Sequence, residues 1–347
     1  MPDIHLRFHH DMLVLSAPID AVLARQGVDV ALDRQFLNLM EPDQVQDALK
    51  LELAAGAHCL VTTTEDITRA RLAHVRMDGD ASRLAGCALD IANALRPQHV
   101  LAEIGPCGLP LDASSKASLN ENRNQYADAA RAFGDGAFDA FFLNGFTIMA
   151  DLKCALMGVA QVSGKPVFAS VTIGEGGAPL PAATFAKPVS AGNDVDDIDD
   201  TLPFFGYEAP AASIAPPVPA ALRATLDARL WPEAIETMAD LGAAVIGFET
   251  ADSIDCAVRY AGEAVKRTDL PVLAQLRVGT PADERNRGLV PLESIDDYTP
   301  DTMERAAVKL FGAGVQFLRA TGVATPAFTG ALAATVQGLD VLRGRED

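Results

Sequence analysis

EPDQVQDALKLELAAGAHCLVTTT (41–64) carries the pattern that decides the fold. Pro42, directly after Glu41, suits a first helical turn, because proline lacks an N–H that such a turn leaves unused. Apolar residues then recur at three and four spacing through Val45, Ala48, Leu49 and Leu53. Ala55-Gly56-Ala57 ends the helix, with glycine supplying the left-handed residue, and CLVTTT follows at once as a short β-rich run. Helix, glycine stop, buried strand is the αβ connection of a parallel sheet.

Outward from this segment the unit repeats. LNENRNQYADAARAFGDGA (119–137) and TPDTMERAAVKLFGAGV (299–315) are further helices with a glycine stop, and Thr299-Pro300 places a capping hydroxyl before a first-turn proline. Eight strands are predicted: MLVLSA (12–17), CLVTTT (59–64), HVLAEIG (99–105), AFFLNGF (140–146), PVFASVTI (166–173), AAVIGFET (243–250), PVLAQLRV (271–278) and VQFLRAT (315–321). Each is a near-continuous apolar run, as parallel strands buried on both faces require. Eight βα units close into a (β/α)₈ TIM barrel, here read as a single domain over 1–347. The rhythm breaks once, after the fifth strand. Residues 174–220 are rich in proline, contain the acidic run Asn193 to Asp200 and carry Phe204, Phe205 and Tyr207. So long an interval at the C-terminal rim is expected to be a lid, a partner surface or a flexible insert.

Composition excludes several function classes. Of 347 residues, 49% are hydrophobic and 22% charged, which provides a sizeable core. A formal charge of -19 opposes binding to nucleic acid or anionic lipid, since both would be repelled. No apolar stretch is long enough to span a bilayer and the first residues lack a secretory pattern, so a cytoplasmic protein is expected. The five cysteines, Cys59, Cys87, Cys107, Cys154 and Cys256, are scattered, without a disulfide framework or a local metal knuckle. A homo-oligomer is left open.

Local sequences then resemble those of a known family. In 36–75, Asn38-Leu39, Pro42, Val45, Ala55-Gly56-Ala57, Thr62 and Thr64 fall in the order of the homocysteine-binding barrel. Ile104-Gly105-Pro106-Cys107-Gly108 matches its Gly-Pro-x-Gly turn after strand three; 141–173, 233–253 and 322–332 resemble its strands four and five, its run into strand six and its last helix. The chain therefore resembles the homocysteine S-methyltransferase family. That resemblance implies methyl transfer at a zinc ion held by three thiolates, which would activate homocysteine sulfur. At the corresponding positions this chain has Thr250, after Gly247-Phe248-Glu249, and Arg319-Ala320-Thr321-Gly322-Val323-Ala324-Thr325-Pro326, with no cysteine. The glycine-rich start of strand one reads Asp11-Met12-Leu13-Val14-Leu15-Ser16, and the Glu-Thr of strand four is replaced by Asn144-Gly145.

Barrel active sites are built at the C-terminal strand ends, so polar residues there are the candidates. Glu103, Glu249 and Asp11 are the expected catalytic acids; the first two lie inside apolar runs, where an unpaired charge is costly. Thr62, Thr64, Glu65, Asn144, Thr250, Gln275, Arg277, Arg319 and Thr321 are expected to bind substrate, and no metal ligands are assigned. Asp66, Glu175 and Asp252 also lie near the rim, Asp66 and Asp252 as helix caps, and an ion pair of Glu103 or Glu249 with Arg277 or Arg319 is an equal reading. Arg319 stands where the family carries glycine, and its guanidinium could bind a carboxylate. A ring of acids favours a cationic substrate. His58 and His99 open strands at the far end, away from the chemistry.

The expectation is a divergent methyltransferase of this type acting on a small polar or cationic methylated metabolite, without thiolate-bound zinc. The resemblance also implies a corrinoid protein as partner, presenting methylcobalamin over the mouth. The alternative is a catalytically inactive barrel that binds a metabolite or a partner through residues 174–220. A third is a lyase or hydrolase using Glu103 or Glu249 with an oxygen-bound divalent metal.

Overall fold

The apolar runs become the strands of a parallel barrel. The computed structural model describes residues 3–28, 30, 34, 36–175, 225–279 and 298–343. Its strands are β1 (Leu13–Val14), β2 (Cys59–Val61), β3 (His99–Ile104), β4 (Ala140–Phe146), β5 (Val167–Gly174), β6 (Leu226–Asp227), β7 (Val245–Thr250), β8 (Val272–Val278) and β9 (Phe317–Gly322). They pair in the order β1-β9-β8-β7-β5-β4-β3-β2, and a parallel bridge between Leu15 and Cys59 closes the ring. β6 stands outside it, pairing only with the end of β5. The insertion expected at 174–220 falls, beyond Glu175, outside the described residues.

The helices are α1 (Asp20–Arg25), α2 (Leu37–Met40), α3 (Pro42–Ala54), α4 (Arg69–Ala73), α5 (Ala81–Ala94), α6 (Lys116–Ala132), α7 (Met149–Ala160), α8 (Trp231–Asp240), α9 (Ile254–Arg267), α10 (Pro300–Gly312) and α11 (Pro326–Arg343). The expected signals work locally. Pro42 and Pro300 sit in first turns, and Thr299 forms a reciprocal capping box with Thr302. Gly56 takes φ +106°, and a Cβ there would lie 2.7 Å from the Cβ of Ala333, so both conformation and space require glycine. α6 starts at Lys116, ahead of the expected Leu119, because the Ser115 hydroxyl accepts from Ser118 N–H and caps it.

Two strands are much shorter than predicted. β1 is Leu13–Val14 where 12–17 was expected, and β2 ends at Val61 where Thr64 was expected. Past Val61 side chains join the main-chain bonds: beside Thr62 N–H to the Leu101 carbonyl (3.0 Å), Glu103 N–H donates to Thr62 Oγ1 (3.0 Å) and Thr64 Oγ1 donates to the Glu103 carbonyl (2.7 Å).

Strand alternation sorts the barrel interior into layers. Low in the barrel the inward residues are apolar: Leu13, Leu15, Cys59, Val61, Leu101, Ala140, Phe142, Phe168, Val245, Leu273 and Phe317 form one buried cluster. The N-terminal turn stoppers this end. Ile4 is buried in the same cluster, and the Phe8 ring packs 6.2 Å from Phe168 and 5.9 Å from Phe317. Two residues further along β3, β4, β5, β8 and β9 the inward positions turn polar, as Glu103, Asn144, Ser170, Gln275 and Arg319.

Candidate active site

The first polar layer is a closed hydrogen-bonded circuit from four strands. Arg319 on β9 donates from Nη1 to Glu103 Oε1 (3.3 Å) and to Gln275 Oε1 (3.2 Å). Gln275 on β8 donates from Nε2 to Asn144 Oδ1 (2.8 Å) and to Ser170 Oγ (2.7 Å). Asn144 on β4 donates from Nδ2 to Glu103 Oε1 (2.8 Å), completing the ring at β3. Arg319 is 2% exposed, anchored through Nε to the Ser16 carbonyl (2.9 Å), with its guanidinium 5.3 Å from the centre of the Phe142 ring. Every donor and acceptor direction in the circuit is thereby fixed, which pins the side chains to one arrangement.

Glu249 on β7 sits in a second arrangement. Arg277 on β8 grips it with two arms, Nη2 to Oε2 (3.1 Å) and Nε to Oε1 (3.3 Å). Thr172 on β5 donates to Oε2 (2.8 Å) and Thr321 on β9 to Oε1 (2.7 Å). Four donors thus converge on one buried carboxylate. A third group lies nearer solvent: Arg34, between α1 and α2, ion-pairs with Asp20 and with Glu65.

These three groups surround a cavity of about 60 Å³, enough for several waters or one small polar headgroup. Glu103, Asn144, Glu249, Arg277, Arg319 and Thr321 line it, with Thr62, Glu65, Asp20 and Arg34. Burial pushes the Glu103 carboxyl up from its ordinary range; Arg319 opposes this, Glu65 adds to it, and the Asn144 hydrogen bond and Arg34 oppose it. Its Oε1 takes both donors of the circuit, while Oε2 has no hydrogen bond among the described residues. Of the two carboxylates placed by the strands, Glu103 is the one with an atom left for chemistry.

The sequence-predicted residues divide into three sets. Glu103, Glu249, Asn144, Arg277, Arg319, Thr321, Glu65 and Thr62 come together at the mouth, with Gln275 directly beneath. Both ion pairs weighed from the sequence form, Glu103 with Arg319 and Glu249 with Arg277. Thr64 and Thr250 are turned to the framework: Thr64 holds β3, and Thr250 Oγ1 accepts from Asp252 N–H (3.1 Å). Asp11 is corrected. It precedes β1, so it lies at the opposite end of the barrel, paired with Arg7 beside a separate cavity lined by His9 and Gln316.

His58 and His99 do lie at that far end, with His58 Nδ1 accepting from Val14 N–H. Asp252 does not cap α9, a role taken by Ser253; it accepts from Glu175 N–H and from the Tyr260 hydroxyl instead. Sequence reasoning missed Ser170, Thr172, Asp20 and Arg34. The first two had a signal, because they stand two and four residues past Phe168, on the inward positions of the fifth strand. Asp20 and Arg34 had none, since neither lies on a strand.

Comparison with known proteins agrees with this layout. A sequence profile described as homocysteine S-methyltransferase matches residues 17–198, more than half of the chain. The chain belongs to the homocysteine S-methyltransferase family. The family's solved structures include the homocysteine methyltransferase MmuM from Escherichia coli. Its metallated form is 13% identical, with a TM-score of 0.66 over 94% of this chain and 96% of that one. Its oxidized form is also 13% identical, with a TM-score of 0.65 over the same shares, 94% and 96%. The apo form gives 12%, 0.61, 94% and 97%. At such identity the likeness is one of fold. No curated protein matches the chain significantly in sequence. Among the described residues no helix is long and apolar enough to cross a membrane.

Proposed function

We propose that this family member transfers a methyl group to or from a small polar metabolite without thiolate-bound zinc, using Glu103 to hold the proton that the acceptor loses. The observation that carries the reading is the open Oε2 of Glu103 facing the mouth cavity, on a carboxyl whose proton affinity burial has raised. As the methyl carbon bonds to the acceptor, the leaving donor keeps the old bonding pair and the acceptor's proton passes to Oε2. Arg319 and Asn144 hold Oε1 throughout, so the carboxyl cannot rotate away. The donor in this reading is a methylated small molecule or a corrinoid partner protein seated over the mouth.

The donor set at the strand tips supports the zinc-free part. Thr250 and Thr321 stand in place of soft ligands, and their hydroxyls are engaged with Asp252 and Glu249. Cys59 is buried in the apolar layer low in the barrel, Cys87, Cys154 and Cys256 are on helices, and Cys107 donates to Asn122 Oδ1. Among the described residues no three His, Cys, Asp or Glu side chains are grouped as a metal would need. These residues do not fit a thiolate zinc site.

A thermal-shift and methyl-transfer screen with methylated amines, sulfonium compounds and homocysteine, with and without zinc, tests the reading on wild type and Glu103→Gln. A methylated amine or sulfonium compound is expected to stabilise both proteins, while transfer falls about 10²- to 10⁴-fold in the variant. Selective stabilisation by homocysteine plus zinc overturns it. The saturation of Glu249 by four donors favours a second reading, a binding barrel without turnover. Under that reading ligands bind, no methyl group moves, and deleting 174–220 removes partner association while leaving the pocket intact.

A further inference from the structure

A cavity of about 260 Å³ opens at the pole of the barrel opposite the mouth, where the mouth cavity itself measures about 60 Å³. Three segments build it: the N-terminal stretch that leads into β1, the connection from α9 to β8 and the connection from α10 to β9. Every residue that lines it precedes its strand, so none is shared with the candidate active site. One wall is apolar. Leu270, Phe311 and Val315 supply it, continuing the hydrophobic core to the surface. Since a cavity of about 150 Å³ accommodates benzene, this one has room for a ring and a short chain.

The polar side is made largely of acceptors. Asp11 already faces Arg7, which leaves Asp269 as the net charge of the pair of carboxylates. Asp269 is exposed in the α9–β8 connection, and among the described residues it makes no hydrogen bond and no ion pair. Gln316, just ahead of β9, is 9% exposed. Its Nε2 donates to the Arg7 carbonyl (3.2 Å), while Oε1 is buried and has no hydrogen-bond partner among the described residues. The Thr268 hydroxyl accepts from Leu270 N–H (3.1 Å). A buried acceptor left unpaired costs about 1 to 3 kcal/mol, and the chain supplies no donor to Gln316 Oε1.

We propose that this cavity is a second binding site, for a primary ammonium group carried on a small apolar body. The N–H groups are directed at Gln316 Oε1 and Asp269, and the body lies against Leu270 and Phe311. An ammonium has three donors and no acceptor, the complement of this wall. A carboxylate ligand is repelled by Asp269 and offers Gln316 Oε1 no donor. A quaternary amine carries the charge but has no N–H to give, so the site distinguishes it from a primary amine.

Calorimetry of the full chain with 2-phenylethylamine, its N-trimethylated form, 2-phenylethanol and phenylacetate is the test. The primary amine is expected to bind about tenfold more tightly than the trimethylated amine or the alcohol, and phenylacetate not at all. Gln316→Leu is expected to weaken the primary amine about tenfold and Asp269→Asn about threefold. Glu103→Gln, at the mouth, should leave its affinity unchanged. If Gln316→Leu does not fold, Asp269→Asn still decides, because that side chain is exposed and unpaired. The proposal is overturned by absence of amine binding, by equal affinity for the amine and its trimethylated form, or by a loss in Glu103→Gln that Asp269→Asn does not share. Methyl transfer plays no part in the readout, so this inference and the preceding reading fail separately.

Discussion

Arg277 holds Glu249 by two nitrogens, at 3.1 and 3.3 Å, on a pair of side chains that are 10% and 6% exposed. Arg277→Met is expected to lower unfolding free energy by about 3 to 5 kcal/mol, since it removes the cation that faces a buried carboxylate. The double variant Arg277→Met with Glu249→Met should recover most of that loss in urea titrations. A double variant as unstable as the single one would show that Glu249 has a stabilising role apart from this pair.

Gln275 is the keystone of the circuit, accepting from Arg319 and donating to Asn144 and Ser170. Gln275→Leu is nearly isosteric but leaves three polar groups short of a partner. A loss of about 2 to 4 kcal/mol is expected, read from the urea midpoint, because each orphaned buried group costs about 1 to 3 kcal/mol and nearby water can recover part. A loss below about 0.5 kcal/mol would mean that the ring contributes no net stability.

Glu52 on α3 links three elements, accepting Ala17 N–H (2.9 Å) and the Thr329 hydroxyl (2.6 Å) on one oxygen. Burial raises its carboxyl from the ordinary 4.5 to about 6, with Thr329, Ala17 and Arg319 opposing. The folded state thus binds the proton more tightly than the unfolded one. The resulting stabilisation, about 2 kcal/mol, is complete below pH 4.5 and is lost as pH rises through about 6. Glu52→Gln should flatten the fall of stability over that window. Asp151, also raised to about 6 by burial, will keep a residual slope in the variant. If wild type and Glu52→Gln have parallel curves from pH 4.5 to 6, the assignment to Glu52 is wrong.

Gly56→Ala places a Cβ at φ +106° and 2.7 Å from Ala333 Cβ. Conformational strain and overlap together should cost about 2 to 4 kcal/mol in thermal unfolding. Adding Ala333→Gly relieves the overlap and leaves the strain, so about half the loss should return. Full recovery would show that conformation at 56 contributes little.

The barrel was legible because its signals are local: a proline start, a glycine stop and an apolar run, repeated. β4 runs from 140 to 146, as its sequence predicts, since AFFLNGF is apolar at every buried position but Asn144. Glu103 and Glu249 were legible for the converse reason, as lone acids inside such runs. Which way a neighbour points was less visible. Thr250 looks as well placed as Glu249 in the sequence, yet alternation turns one to the framework and the other to the cavity. Asp11 was assigned to the rim on the family resemblance, although it precedes the first strand in the sequence as it does in the structure. Asp20 and Arg34 meet through tertiary packing of segments with no shared periodicity.

The barrel is joined unevenly around its circumference. Between β1 and β2 the main-chain pairing shrinks to the bridge at Leu15 and Cys59, and side chains take over: Ser16 Oγ accepts from Val61 N–H, His58 Nδ1 from Val14 N–H and Glu52 from Ala17 N–H. Main-chain ladders are indifferent to residue type, but this seam is sewn by particular side chains. Point substitutions can therefore loosen the barrel there as they cannot at β8 and β9, and amide exchange should begin along that line, beneath Asp20 and the edge of the mouth.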